Sequence, residues 1–355
     1  MIGPLAWAWL QFALLALLIG VGGYRLTREA DAIAEALGLS RTWVGVALVA
    51  TVTSLPELAT GITAVTVAQA PNVAVGNALG ACVLNLAFLA VVDLLVRGNP
   101  LYRQASQSHI LAGAFGAMMF GLVGVAILLG HAAQRAGGPP AWLQAVMPGI
   151  GASTPLLLAL YVVAVRAVFL HERDTQSGGA ARVADRARAR VDDRARARVA
   201  GHVLRFAIAA LVVLLAGMRL PFVATEIAQT MGWSRSFVGT VFVSAVTTLP
   251  EMAVTVSAVR IGALDMAIGN LLGSNLFNVA ILAVDDLFHP GASLLAEVSV
   301  AHATTAGFAV AMTGLAVVGL YYRPQGRLLR AVGWVSIGLV ALYALNVAAV
   351  ALYAG

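Results

Sequence analysis

Two glutamates in this chain are set in matching phrases: Thr53-Ser54-Leu55-Pro56-Glu57, and later Thr247-Thr248-Leu249-Pro250-Glu251. Each phrase lies inside a long apolar stretch. Each is followed by a second echo, Gly76-Asn77-Ala78-Leu79-Gly80 with Asn85, then Gly269-Asn270-Leu271-Leu272-Gly273 with Asn278. Proline within a helix removes one backbone hydrogen bond and clashes with the carbonyl four residues earlier. Those positions are Val52 and Val246. Carbonyls freed there have no water to bond in hydrocarbon, but they can coordinate a cation. The hydroxyls of Thr53, Ser54, Thr247 and Thr248 add neutral oxygens, and Glu57 and Glu251 supply charge at the start of the resumed helix. An isolated carboxylate at the bilayer centre costs roughly 2.5–3.5 kcal/mol on insertion scales. Two side by side repel. A divalent cation between them relieves both penalties.

The donor set selects the ion. Carboxylate, amide, hydroxyl and carbonyl oxygens suit hard cations such as Ca²⁺ and Na⁺. No HExxH motif, cysteine pair or histidine cluster favours zinc or copper, and no cofactor motif is present. The glycines at 76, 80, 269 and 273 make small-xxx-small faces that let their helices approach the broken ones, so Asn77, Asn85, Asn270 and Asn278 join the predicted site. Each feature alone is weak: a proline kink is common in membrane helices, GxxxG is usually packing, and an asparagine can simply join two helices. The repetition of the whole set at matched spacing is what carries the reading.

The chain that must position these residues is apolar throughout. Of its 355 residues 60% are hydrophobic and 11% charged, and its mean hydropathy is +0.89. A membrane span takes roughly 20 apolar residues. Ten such segments stand near 5–24, 42–68, 72–95, 109–129, 146–170, 203–222, 234–259, 264–288, 300–320 and 328–353, predicting an all-α polytopic membrane protein. Arg25 and Arg28 follow the first segment where a cleavage site would need small residues, so that segment is expected to be retained. The lone cysteine, Cys82, excludes an intrachain disulfide. The net charge of +6 comes from arginine, there being no lysine, and it sits in the connections. Lipid headgroups and topology account for it better than nucleic acid does. The arginines concentrate in the odd-numbered connections, which places those in the cytoplasm and both termini outside.

The two halves repeat. A shift of 194 positions lays Arg25, Gly38, Ser40, Arg41, Gly45 and Thr53 to Glu57 on Arg219, Gly232, Ser234, Arg235, Gly239 and Thr247 to Glu251. After one deletion, a shift of 193 lays Asn77, Asn85, Asp93 and His109 on Asn270, Asn278, Asp286 and His302. The predicted organisation is a first five-helix repeat over 1–170, an Arg-rich cytoplasmic linker over 171–201 and a second repeat over 202–355, with helices 2 and 7 broken. An odd number of helices per half inverts the second half and brings Glu57 and Glu251 together at the midplane. Asp93, Asp285, Asp286, His109 and His302 lie near helix ends and are expected at the membrane interface.

At these residues the two copies resemble the alpha-repeats of the sodium/calcium exchanger family, within the cation/calcium antiporter superfamily. The motifs T-S-L-P-E and G-N-x-x-G-S-N carry the resemblance, which covers nearly the whole chain. It implies a transporter rather than an enzyme: a cell-membrane antiporter without cofactors, in which Glu57 and Glu251 are the principal Ca²⁺ ligands and share in Na⁺ binding. Thr53, Ser54, Thr247, Thr248, Ser274, Asn85 and Asn278 would add oxygens. The implied mechanism is alternating access, with the first and sixth helices sliding over a rigid core. The chain departs from the pattern at two places. Ala81 stands where the second copy has Ser274, and Asn278 stands where prokaryotic relatives often carry aspartate. These departures leave the counter-ion open between Na⁺ and H⁺. The alanine-rich, lysine-free composition suggests a bacterial cytoplasmic membrane.

Overall fold

The computed structural model describes residues 3–36, 50–96, 100–138, 151–176, 193–291, 293–325 and 332–353. All of the long elements are helices. They are α1 (Pro4–Ala36), α2 (Ala50–Thr53), α3 (Leu55–Thr66), α4 (Pro71–Leu95), α5 (Leu101–Gln104), α6 (His109–Arg135), α7 (Ser153–Gln176) and α8 (Asp193–Met231). There follow α9 (Arg235–Thr247), α10 (Leu249–Arg260), α11 (Leu264–Phe288), α12 (Leu294–Glu297), α13 (Ala301–Tyr322) and α14 (Trp334–Leu352). Among the described residues, eight helices are individually long and apolar enough to cross a membrane, and α9 with α10 makes a ninth, bent by 45°. The expected second span is described only from Ala50, so its first half lies outside the described residues. Of the linker expected over 171–201, α7 takes in the residues to Gln176 and α8 those from Asp193, and the stretch between them lies outside the described residues.

Among these eight helices the most buried are α4 and α11, with 72% and 83% of their apolar windows covered. They pack on each other, with α6, α13, α7 and α14 around them. By contrast α1 is 28% and α7 17% covered. On α1, Trp7, Leu10, Leu14, Leu17 and Val21 are exposed at helical spacing, which is a lipid-facing stripe. α1 lies along α8, and the pair touches the core through α10 and α3.

Prolines start the helices that matter. Pro71 opens α4, and Pro56 and Pro250 each stand second in α3 and α10. A missing N–H costs nothing there, because the first-turn donors are unused in any case. The residues that separate the half-helices, Ser54 (φ −88°, ψ 11°) and Thr248 (φ −79°, ψ −3°), sit in or beside the bridge region. Gly76 and Gly80 bring α4 against the π-helical turn Val238–Val243 of α9. A Cβ at Gly76 would stand 2.9 Å from the Thr240 amide nitrogen, and one at Gly80 would stand 2.8 Å from Ser244 Cβ.

Two aspartates expected at the membrane interface are instead buried braces. The Asp93 carboxylate accepts from the amides of Leu101 (3.1 Å) and Gly333 (2.8 Å) and from the Ser336 hydroxyl (2.8 Å). Its repeat partner Asp286 accepts from Leu294 N (2.6 Å), Gly151 N (2.8 Å) and Thr154 Oγ1 (2.5 Å). Each thus closes its own loop and caps the start of a helix from the other half, α14 or α7. Such sites favour an anion because first-turn amides lack partners. A position near a helix end does not reveal a loop folding back over it, so the burial was not foreseen. Asp285 is also buried, at 0% exposure.

The histidines follow the same rule. His109 Nε2 lies 3.0 Å from Asp265 Oδ1, which also accepts from Ser106 N (2.8 Å). His302 Nε2 lies 3.2 Å from Asn72 Oδ1, which accepts from Ser299 N (2.7 Å). Both histidines are buried at the starts of their helices. The start of α11 is thereby tied to the start of α6, and the start of α4 to the start of α13.

Removing one of the braces should loosen the fold. Asp286→Ala leaves three buried donors unmatched, and should cost about 3 kcal/mol. Thermal unfolding of the purified protein in detergent should show a lowered midpoint, with Asp286→Asn, which keeps one carbonyl acceptor, falling between the two.

Candidate cation site

The breaks at Ser54 and Thr248 bring their flanking residues to one place. Ser54 Oγ donates to Glu251 Oε1 at 2.9 Å, joining the first break to the second. Thr53 also faces Glu251. Thr247 and Thr248 face Glu57 in return. The hydroxyls of each break therefore lie toward the carboxylate of the other, with the Ser54–Glu251 bond closed and both Glu57 oxygens unpartnered among the described residues. Glu57 and Glu251 are close enough to repel, and both are 0% exposed.

The asparagines enter from α4 and α11. Thr247 Oγ1 donates to Asn77 Oδ1 at 2.8 Å, tying α4 to the second break. Asn270 Nδ2 donates to the Glu251 carbonyl (3.3 Å) and to Thr255 Oγ1 (3.2 Å). Asn85 Nδ2 donates to Asn275 Oδ1 at 3.0 Å, where α4 crosses α11. Cys82 lies beside Asn278 and Glu57. All eleven residues predicted for the site, Ser274 among them, are at most 1% exposed.

Many of these buried oxygens have no hydrogen-bond partner among the described residues. They include both carboxylate oxygens of Glu57, Glu251 Oε2, Thr248 Oγ1, Ser274 Oγ, and the side-chain carbonyls of Asn85, Asn270 and Asn278. Leaving a buried polar atom unpaired is costly, and the cost is higher for a carboxylate. Eight such oxygens carried by elements that meet at the two breaks are a donor set of the type hard cations require, 6–8 oxygens in the case of Ca²⁺. No third carboxylate joins Glu57 and Glu251: among the described residues, no group of three or more His, Cys, Asp or Glu is placed to hold a metal. The position opposite Ser274 is filled by Ala81, which is fully buried and brings no oxygen.

Sequence reasoning passed over Asn275. Its Nδ2 donates to the Cys82 carbonyl (3.2 Å), and its own carbonyl accepts from Cys82 Sγ (3.7 Å). The two positions correspond under the 193-residue shift, so residues matched between the halves touch each other at the crossing of α4 and α11. That shift was the available signal.

The sodium/calcium exchanger protein family matches residues 7–170 and 201–351. The chain is similar to the inner membrane protein YrbG of Escherichia coli, at 25% identity over 276 residues, 78% of each protein. It is 44% identical to the sodium/calcium exchanger MaX1 of Methanosarcina acetivorans over 64 residues, 18% of each chain. Among solved structures, the sodium-calcium exchanger NCX_Mj shares the fold, with a TM-score of 0.57 over 98% of this chain and 99% of that one, at 22% identity.

The crossing at Asn275 should matter to the site. Asn275→Ala removes the partner of Asn85 and is expected to cost about 1–3 kcal/mol. Unfolding curves with and without added divalent cation would show a lower midpoint and a smaller cation-induced rise. Cys82→Ser should retain both.

Proposed function

Because the chain belongs to the sodium/calcium exchanger family, we propose that it is a secondary antiporter exchanging Ca²⁺ for Na⁺ across a bacterial cytoplasmic membrane. The observation that carries this reading is the pair of buried glutamates at two helix breaks, ringed by unpartnered oxygens. Ca²⁺ would bind between Glu57 and Glu251. Thr53, Ser54, Thr247 and Thr248 would complete it from the breaks, and Ser274, Asn77, Asn85, Asn270 and Asn278 from the core helices. Two carboxylates neutralise one divalent ion, so the loaded site carries no net charge in the hydrocarbon.

The chain would be organised as two five-helix repeats, 1–170 and 202–355, inverted across the membrane, with 171–201 as a cytoplasmic connector and both termini outside. The reciprocal contacts support the inversion. Ser54 donates to Glu251 while Thr247 and Thr248 lie toward Glu57, and Asp93 and Asp286 each cap a helix of the opposite half.

Alternating access would come from α1 and α8. Gly23 on α1 packs against the Pro250 ring. Its repeat partner, Gly217 on α8, packs on the Pro56 carbonyl and Ala59, a Cβ there standing 3.1 Å from each. Thr60 Oγ1 donates to the Gly217 carbonyl at 3.1 Å. The mobile pair thus meets each break through a glycine, where any larger side chain would catch as the helices slide.

Ala81 and Asn278 favour a second reading of the counter-ion. They subtract one hydroxyl and one carboxylate from the oxygens that would hold several Na⁺ ions, whereas protons need no such cage. Exchange would then be H⁺-coupled at the same glutamates.

Proteoliposome uptake of radioactive Ca²⁺ tests both readings. Uptake is expected against an outward Na⁺ gradient; uptake driven only by a pH gradient would replace Na⁺ by H⁺. Glu57→Gln and Glu251→Gln should each reduce exchange by about 100-fold or more, beyond what outer partners of a metal site cost. Gly217→Val should slow exchange while sparing Ca²⁺ binding. Retained flux in the double glutamine variant would remove the site assignment.

A further inference from the structure

A third buried carboxylate lies outside the site. Asp285, on α11, is 0% exposed. Neither of its carboxylate oxygens has a hydrogen-bond partner among the described residues. Its neighbour Asp286 is fully engaged as a brace, so the two adjacent acids have different fates. Asp285 lies against Gly61 of α3, where a Cβ would collide with both carboxylate oxygens. The glycine makes the space that the carboxylate fills.

This pairing breaks the repeat. The positions matched to Gly61 and Asp285 in the opposite halves are Thr255 and Val92. Glycine stands opposite a threonine of the other half where aspartate stands opposite a valine. Both changes fall on elements of the ion path. Gly61 stands one turn beyond Glu57 on α3, and Asp285 stands seven residues, about 10 Å, beyond Asn278 on α11.

We propose that Asp285, seated on Gly61, is a proton-binding station beside the transport path, on its outward half. The outward placement rests on the topology given under the proposed function. The ligand follows from the surroundings. A Na⁺ or Ca²⁺ ion needs several oxygens around it; among the described residues no group of three or more His, Cys, Asp or Glu is placed to hold a metal, and the oxygens of the adjacent Asp286 are already engaged. A proton needs no coordination shell, and it removes the charge of a buried carboxylate that nothing else compensates. Asp286, whose oxygens are held by Gly151, Thr154 and Leu294, is the charged group acting on Asp285. Among the described side chains, the other acids of the elements packed on α11 are Glu57 on α3, Asp93 on α4, Glu251 on α10 and Glu297 on α12; the bases are His109, His131 and Arg135 on α6, Arg166 and His171 on α7, and Arg260 on α10. None of them pairs with Asp285.

The test uses the full-length protein and two readouts. Infrared spectra of the purified protein at neutral pH should contain a protonated-carboxyl band that disappears in Asp285→Asn and persists in Glu57→Gln. This readout does not depend on transport, so it stands even if the wild type moves no Ca²⁺, an outcome that would overturn the antiport reading alone. In proteoliposomes, Ca²⁺ uptake by the wild type should vary with external pH. In Asp285→Asn the rates at the two ends of pH 6–8 should agree within about twofold. Gly61→Ala, which presses on the carboxylate while leaving it in place, should displace the wild-type profile without abolishing it. A band unchanged in Asp285→Asn, or a pH profile superimposable on that of the wild type, would overturn the proposal.

Discussion

A carboxylate buried in the hydrocarbon depth of a membrane must find a counter-charge or a proton, and every distinctive feature of this protein answers to that constraint. Glu57 and Glu251 are held where helices restart after a proline, so each arrives with hydroxyls that a continuous helix would have placed differently. Neither glutamate could remain ionised alone without a large penalty. Together they repel, and their joint charge is what a divalent ion cancels. The helix breaks, the crossing of α4 and α11 and the glycines at the break surfaces all act to hold this pair in register.

The same constraint explains how the protein spends its other acids. Asp93 and Asp286 are equally buried, yet they are satisfied by backbone amides and hydroxyls at the start of α14 and α7. They are structural because their donors are fixed in the chain. The glutamates at the breaks are poorly supplied with donors, since Glu251 receives one hydroxyl bond and Glu57 has no partner among the described residues. Fully paired acids make a rigid core, and underpaired acids leave work for an ion. Asp285 belongs to the second kind.

Much of this was legible in the sequence. The two T-x-L-P-E phrases, the following asparagines and the 194- and 193-residue shifts singled out eleven candidate residues, all of which are buried, and indicated that the breaks would converge. Period and composition also marked the membrane helices. What local pattern could not give was the use of residues near helix ends. Asp93, Asp286, His109 and His302 looked interfacial because sequence position gives depth along a helix and says nothing of a loop returning over it. Asn275 was missed because it braces through the backbone of Cys82, a contact with no composition signal. The Gly61–Asp285 seat needed three-dimensional contact between α3 and α11 before the two unmatched positions could be read as one change.

Anomalous diffraction from the protein loaded with Sr²⁺, as a heavier stand-in for Ca²⁺, would locate the bound ion directly. The account predicts one strong peak within about 2.3–2.6 Å of carboxylate oxygens of both Glu57 and Glu251. A peak bound to only one of them, or elsewhere in the molecule, would contradict it.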